Sequence, residues 1–188
     1  MSLSISLDQA VQAVRRKETI AYPTESVFGL GCDPLCPEAV QAVINIKGRS
    51  ADKGLILIAA NQSQLHGYMA PVQSNWKQQF DRYWPGPVTF VVPVSPELDT
   101  TVAELLTGGR DNIAVRVSNH PVVKALCQRC NSALVSTSAN RSGGEPLRSA
   151  QAVRQEFADD ISAIVDAEVG TQTRPSTIID IVSEQILR

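Results

Sequence analysis

The sequence predicts an α/β protein built on a mixed β-sheet with helices packed against it. Three observations carry that reading. Short apolar runs of strand length alternate along the chain with segments whose apolar residues recur at helical spacing. One run, LILIAA (55–60), is apolar throughout, the pattern of a strand covered on both faces, whereas NIAVRVS (112–118) alternates. The 188 residues are 43% hydrophobic, enough for one contiguous core, and no linker, low-complexity segment or repeat divides them, so one domain over 1–188 is expected.

The elements follow in order. Ser6-Leu7-Asp8-Gln9 has the spacing of a capping box, and Leu7, Ala10, Val11 and Val14 then mark one helix face. Arg15-Arg16-Lys17 suits the negative pole of that helix. TIAYP (19–23) reads as a strand stopped by Pro23, and VFGLGCD (27–33) as a second apolar segment. Pro37 opens a helix at its first position, with Val40, Val43 and Ile44 on one face, that runs to Lys47 and breaks at Gly48. LILIAA is a strand. A helix near Gln73–Tyr83 precedes WPGPVTFVVPV (84–94), a proline-punctuated turn and a strand. NIAVRVS is a strand, HPVVKALCQRC (120–130) a helix, and ALVSTSAN (133–140) a strand that ends in hydroxyls. A helix near Ser149–Phe157 leads to ISAIVDA (161–167), and STIIDIV (176–182) reads as the final strand.

Composition excludes several functions. A net charge of −2 argues against a generally basic nucleic-acid coat protein. No apolar run approaches the ~18 residues of a membrane span, and the N-terminus lacks the pattern of a signal peptide, so a soluble, cytoplasmic protein is expected. Cys32 and Cys36, then Cys127 and Cys130, invite a zinc reading. No histidine lies near either pair, so reduced structural cysteines and no protein-held metal are expected. His120 precedes Pro121 at a helix start, where capping explains it better than catalysis. There is no Walker phosphate loop, no complete dinucleotide fingerprint because residue 34 is proline, and no nucleophile elbow.

What remains is a set of polar strand ends: Pro23-Thr24-Glu25-Ser26, Arg116, Ser136-Thr137-Ser138-Ala139-Asn140 and Pro175-Ser176-Thr177. Open α/β sheets bind ligands in the crevice beyond their strand ends, and hydroxyls and amides there suit a polar ligand. Lys47, Arg49 and Lys53 crowd a turn broken by Gly48 and Gly54, just before the LILIAA strand. Arginine as a bidentate fork and lysine as a point charge suit a polyphosphate. Glu25 is the one carboxylate in these motifs. It could serve as a base or a magnesium partner, though a turn residue bonded to backbone is the simpler reading.

AYPTESVFGLGCD, KGRSADKGLILI, WPGPVTFVV, NIAVRVSNHP, LVSTSAN and RPSTIIDI, in this order over about Leu7 to Ile181, together resemble the YrdC-like family, the threonylcarbamoyl-AMP synthases. The resemblance implies a twisted sheet around a deep, positively lined cavity. It implies conversion of L-threonine, bicarbonate (or CO2) and ATP into threonylcarbamoyl-adenylate and pyrophosphate, with Mg2+ accompanying ATP. A downstream transferase complex would then modify tRNA at the adenosine beside the anticodon. The family's Lys-x-Arg and Ser-x-Asn nucleotide motifs match Lys47 and Arg49, and Ser138 and Asn140, with Lys53 a further nucleotide contact. Thr24, Arg116, Thr137 and Ser176 match positions around threonine. Arg141 and the SGGEP loop depart from the family pattern, and the second domain of longer members is not in this sequence. Two other readings stand beside this one. A non-catalytic module could hold tRNA or double-stranded RNA, although aromatic content is only 5% and no RNA-reading motif is present. A carbamoyl-phosphate-handling module of a larger enzyme is the third.

Overall fold

The computed structural model describes residues 4–50 and 52–188; residues 1–3, the start of the expected N-terminus, and Ala51, inside the KGRSADK motif, lie outside them. Among the described residues nine strands form one sheet: β1 (Ser4–Ile5), β2 (Ile20–Pro23), β3 (Phe28–Gly31), β4 (Ile56–Ala59), β5 (Val88–Pro93), β6 (Asn112–Val117), β7 (Leu134–Ser138), β8 (Ala163–Val165) and β9 (Thr177–Asp180). Their spatial order is β1-β8-β2-β3-β7-β4-β6-β5-β9. The sheet is mixed, as expected: β4 runs parallel to β6 and antiparallel to β7. Six helices join it: α1 (Leu7–Arg15), α2 (Pro37–Lys47), α3 (Ser74–Tyr83), α4 (Thr100–Thr107), α5 (Pro121–Cys130) and α6 (Ala150–Phe157).

Local signals act where the sequence places them. Ser6 and Gln9 close a reciprocal capping box at α1, and Pro37 sits in the first turn of α2. Gly48 ends α2 in the left-handed conformation at φ 58°, which costs glycine nothing. His120 is the N-cap residue of α5, but its side chain makes no capping bond; its ring Nε2 instead approaches Glu168 O at 3.2 Å. The hydroxyl of Ser118 takes the local role by accepting from His120 N–H at 3.1 Å.

Among the strands and α-helices of the described residues, two have no counterpart in the sequence reading. β1 is a two-residue edge strand beside β8. α4 starts at Asp99, whose side chain accepts from Val102 N–H, and stops at Gly108. Both end signals of α4 are visible in the sequence, but its short apolar face is easily read as loop.

The two faces of the sheet are covered differently. Leu57, Ala59, Val115 and Val135 point to one face, where α2, α3, α4 and α6 bring Val43, Phe80, Leu106 and Phe157. Ile20, Tyr22, Ile58 and Leu134 point to the other face and meet α1 and α5 through Val11, Val14, Val123 and Leu126. These two helices cover only part of that second face. The uncovered remainder holds the site.

Candidate functional site

A cavity of about 610 Å³ lies on this uncovered face, a size within the range of small-molecule sites. Its floor is a row of register partners: Ser136 faces Ile56, Ile56 faces Ala114, Ala114 faces Val91 and Val91 faces Asp180. Side chains alternate along a strand, so Asn112, Ala114 and Arg116 look into the cavity while Ile113, Val115 and Val117 enter the core. The crevice expected beyond the strand ends is thus a basin on the sheet face. Small residues on the floor (Gly29, Ala114, Ser136) leave room there, and the polar strand ends form its rim.

The rim gathers most of the residues singled out from the sequence. Thr24, Arg49, Arg116, Thr137, Ser138 and Ser176 all line the cavity. Lys47, Lys53 and Asn140 do not. Lys47 Nζ donates to Ser138 O at 2.5 Å, Asn140 O at 2.9 Å and Asn140 Oδ1 at 3.3 Å. Three ammonium protons thus meet three oxygens of the loop after β7. Burial, with Arg49 adding repulsion, pushes the Lys47 ammonium down to about 8. Asn140 is engaged inside the same loop, donating to Arg141 O and Gly144 O, each at 2.8 Å, while its Oδ1 accepts from Ser138 Oγ at 2.6 Å. Lys53 contributes its backbone carbonyl to Arg49 Nη2.

Arg49 reaches across from the turn after α2. Its Nη2 also donates to Gly54 O at 2.8 Å, and its Nη1 to Thr137 Oγ1 at 3.3 Å. Among the described residues three of its five N–H groups are used, and Nε–H and one Nη1–H have no partner. The turn that carries it is packed backbone to backbone on the end of α4. A Cβ on Gly54 would lie 2.8 Å from Thr107 O, and one on Gly108, at φ 67°, would lie 2.5 Å from Asp52 O. Only glycines let the two turns approach so closely.

Arg141 and its loop, the departure from the family pattern, are tied to the scaffold. Arg141 pairs with Glu156 at 3.1 Å and Asp160 at 2.5 Å, donates to Ile46 O at 2.9 Å and lies over the Phe157 ring. Ser142 N–H donates to Lys47 O at 2.8 Å. Two carbonyls left free at the end of α2 are thereby satisfied.

Arg116, on β6, is buried and pairs with Glu25 at 2.8 Å. Glu25 is therefore bound to a cation from another strand, in addition to the backbone N–H of Asn119 at 3.0 Å. Ser176 Oγ and Thr89 Oγ1 are 3.0 Å apart on the opposite rim. Arg110 and Arg188 also line the cavity. The sequence reading did not pick them out; a lone arginine in a glycine turn and one at the last position carry no motif. The in-phase polar residues Asn112 and Arg116 were the available signal for the floor.

The four cysteines are free thiols, three of them buried. Among the described residues no group of three or more His, Cys, Asp or Glu side chains is placed to hold a metal ion. Among the described residues Asp180 is the one Asp or Glu that lines the cavity. None of the helices described is long and apolar enough to cross a membrane.

The fold and site define an α/β protein with a basin on its sheet face lined by arginines and hydroxyls. Residues 12–188 match the Sua5/YciO/YrdC family model, described as "Telomere recombination". The chain belongs to that family. It is 47% identical over 182 residues to a protein of Idiomarina loihiensis named threonylcarbamoyl-AMP synthase, covering 96% of both chains. It is 44% identical over 185 residues to a protein of the same name from Photobacterium profundum, covering 97% and 98%. Among solved structures it is similar to P. abyssi Sua5 complexed with L-threonine (TM-score 0.89, 32% identity, 97% of this chain) and to E. coli YciO (TM-score 0.81, 26% identity, 93% of this chain and 82% of YciO). The chain spans about half, 53%, of the Sua5 chain.

Proposed function

We propose that this protein is a threonylcarbamoyl-AMP synthase, joining L-threonine, bicarbonate or CO2 and ATP into threonylcarbamoyl-adenylate with release of pyrophosphate. The observation that carries the reading is one cavity lined by Arg49, Arg110, Arg116 and Arg188 together with the hydroxyls of Thr24, Thr137, Ser138 and Ser176. The full-length similarity to proteins of that name supports it.

The chemistry requires such a cavity. Threonine's free amine captures CO2 with loss of a proton and becomes a carbamate. A carbamate oxygen attacks the α-phosphorus of ATP, and the bond to the β-phosphate oxygen breaks as pyrophosphate leaves. Both reactants are anions, so they repel until cations neutralise them. In this reading Arg49, with its two free N–H groups, takes the triphosphate and the charge growing on the leaving pyrophosphate. Arg116 takes the threonine carboxylate, and Thr24, Thr137 and Ser176 orient the amino acid. Lys47 acts chiefly through the loop: it braces Ser138 and Asn140, so that Ser138 is presented to the nucleotide. Lys53 stands at the outer edge of the same turn. Holding the reactants in line supplies the rate, without a covalent enzyme intermediate.

A protein-held metal cage does not fit one cavity carboxylate. Magnesium in this account enters as the counter-ion of ATP, held by phosphates and water. The product is a mixed anhydride, so its consumer is a transferase that passes the threonylcarbamoyl group to a nucleophile, in this family reading the tRNA adenosine. A basin of about 610 Å³ suits a nucleotide better than an RNA duplex, which needs an extended basic surface. Mass spectrometry of the purified protein incubated with ATP, threonine and labelled bicarbonate tests the assignment. A labelled adenylate of threonylcarbamate is expected; AMP or ADP alone would refute it.

The Lys47 ammonium gives a pH test. Its proton is held to about 10.5 in the unfolded chain and to about 8 in the folded one. Between these values the unfolded chain binds more protons, so this group's contribution to stability rises with pH. Nucleotide affinity moves the opposite way, because the positive charge and one bond to the loop are lost. Raising pH from 7 to 9 is expected to weaken binding of a fluorescent ATP analogue by up to about tenfold. Lys47→Arg, which does not titrate, should show no such slope.

A further inference from the structure

Arg116 and Glu25 meet at 2.8 Å with side chains only 9% and 12% exposed. They come from different places, Arg116 from β6 and Glu25 from the turn between β2 and β3. Glu25 is itself held on its other oxygen: Oε1 accepts from Ser118 Oγ at 2.7 Å and from Asn119 N–H at 3.0 Å. Burial would raise the Glu25 carboxyl, but Arg116, Ser118 and backbone donors outweigh it and hold it below the usual carboxylate range. It is therefore an anion at neutral pH. The contact to Arg116 is made by Nη2 alone. An arginine–carboxylate pair that serves only itself is commonly a two-bond fork. Here Arg116 Nε stays buried without a partner among the described residues, in a side chain that lines the cavity.

We propose that Glu25 is a positioning residue for carboxylate recognition. It grips one corner of the Arg116 guanidinium and fixes its plane, and Ser118 and Asn119 fix Glu25 in turn. Arg116 Nη1, which has no bond among the described residues and is not sealed off as Nε is, is left for the α-carboxylate of the amino-acid substrate. The proposal rests on the assignment of threonine to Arg116 made above.

Two effects of Glu25 oppose each other. Its charge partly cancels that of Arg116, which weakens attraction for a second carboxylate. Its bond orders a long side chain before the substrate arrives, so binding does not have to supply that ordering. At this depth the second effect wins, because a guanidinium without a counter-charge would leave its buried position for water.

The two effects predict opposite results, which makes the proposal testable. Threonine binding by calorimetry and steady-state pyrophosphate release are compared for wild type, Glu25→Gln and Ser118→Ala. Glu25→Gln keeps the shape and removes the charge. Its Kd and KM for threonine are expected to rise about tenfold or more, while KM for ATP stays within about twofold and kcat at saturating threonine within about threefold. Ser118→Ala, which leaves the ion pair but frees one side of Glu25, should raise KM for threonine by about threefold. Equal rises in both KM values, or threonine binding that is unchanged or tighter in Glu25→Gln, would overturn the proposal. If thermal unfolding shows that Glu25→Gln has lost its fold, Ser118→Ala decides by the same criteria. Wild type that binds threonine yet releases no pyrophosphate would remove the synthase reading alone, since the Kd comparison still stands. Wild type that does not bind threonine would overturn both.

Discussion

Arg49→Ala is expected to lower kcat/KM for ATP by about 10²–10³-fold, the cost typical of removing one strong donor from a charge that develops in the transition state. Threonine affinity should fall by a much smaller factor, because Arg49 reaches the amino-acid side only through its bond to Thr137 Oγ1. Arg49→Lys is expected to be nearly as poor. The native guanidinium bonds Gly54 O, Lys53 O and Thr137 Oγ1 at once and still has two N–H groups to spare. An ammonium has three protons in all and no planar fork, so it cannot both brace the turn and meet a phosphate. Steady-state kinetics with varied ATP checks this. A lysine variant with near-native kcat/KM would show that Arg49 contributes only charge.

The second large effect falls on Arg116. Arg116→Ala should abolish saturation by threonine, and it should also destabilise the fold by about 3–5 kcal/mol, because it strands the Glu25 carboxylate in a buried place. The two consequences can be separated. Changing both residues, Arg116→Gln with Glu25→Gln, removes the stranded charge. Much of the stability should return in urea unfolding, and none of the threonine binding. A double variant that bound threonine normally would show that the carboxylate is held elsewhere on the rim, for instance by Arg188. The pair lies far enough inside that solvent screening does little to soften these effects.

Much of the fold was legible because its local signals agree with one another. The capping box at Ser6, Pro37 at the start of α2 and Gly48 at its end each act as their chemistry dictates. The unbroken LILIAA run became the strand β4, whose Leu57 and Ile58 enter cores on opposite faces, while its Ile56 forms cavity floor. The site was legible as a set of residue types, since hydroxyls and cations at strand ends have few structural reasons to cluster. What the sequence could not convey was partnership. Nothing in a string of residues says that Glu25 will meet Arg116, because that contact depends on the turn after β2 and on β6 converging in space. The same limit applies to Lys47. A lysine in a glycine-broken turn looks like a free charge, yet its side chain turns inward to three oxygens of the loop after β7. The basin on the sheet face was hidden for a related reason. Its floor appears only when small residues from separate strands, Ser136 and Ala114 on either side of Ile56, are brought into register.

The central claim is that one basin brings two negatively charged reactants together. Pyrophosphate release by the purified wild-type protein tests it most directly, with ATP present and threonine and bicarbonate omitted singly and together. Release is expected only when both are supplied. Release from ATP alone, or with either omitted, would contradict the account.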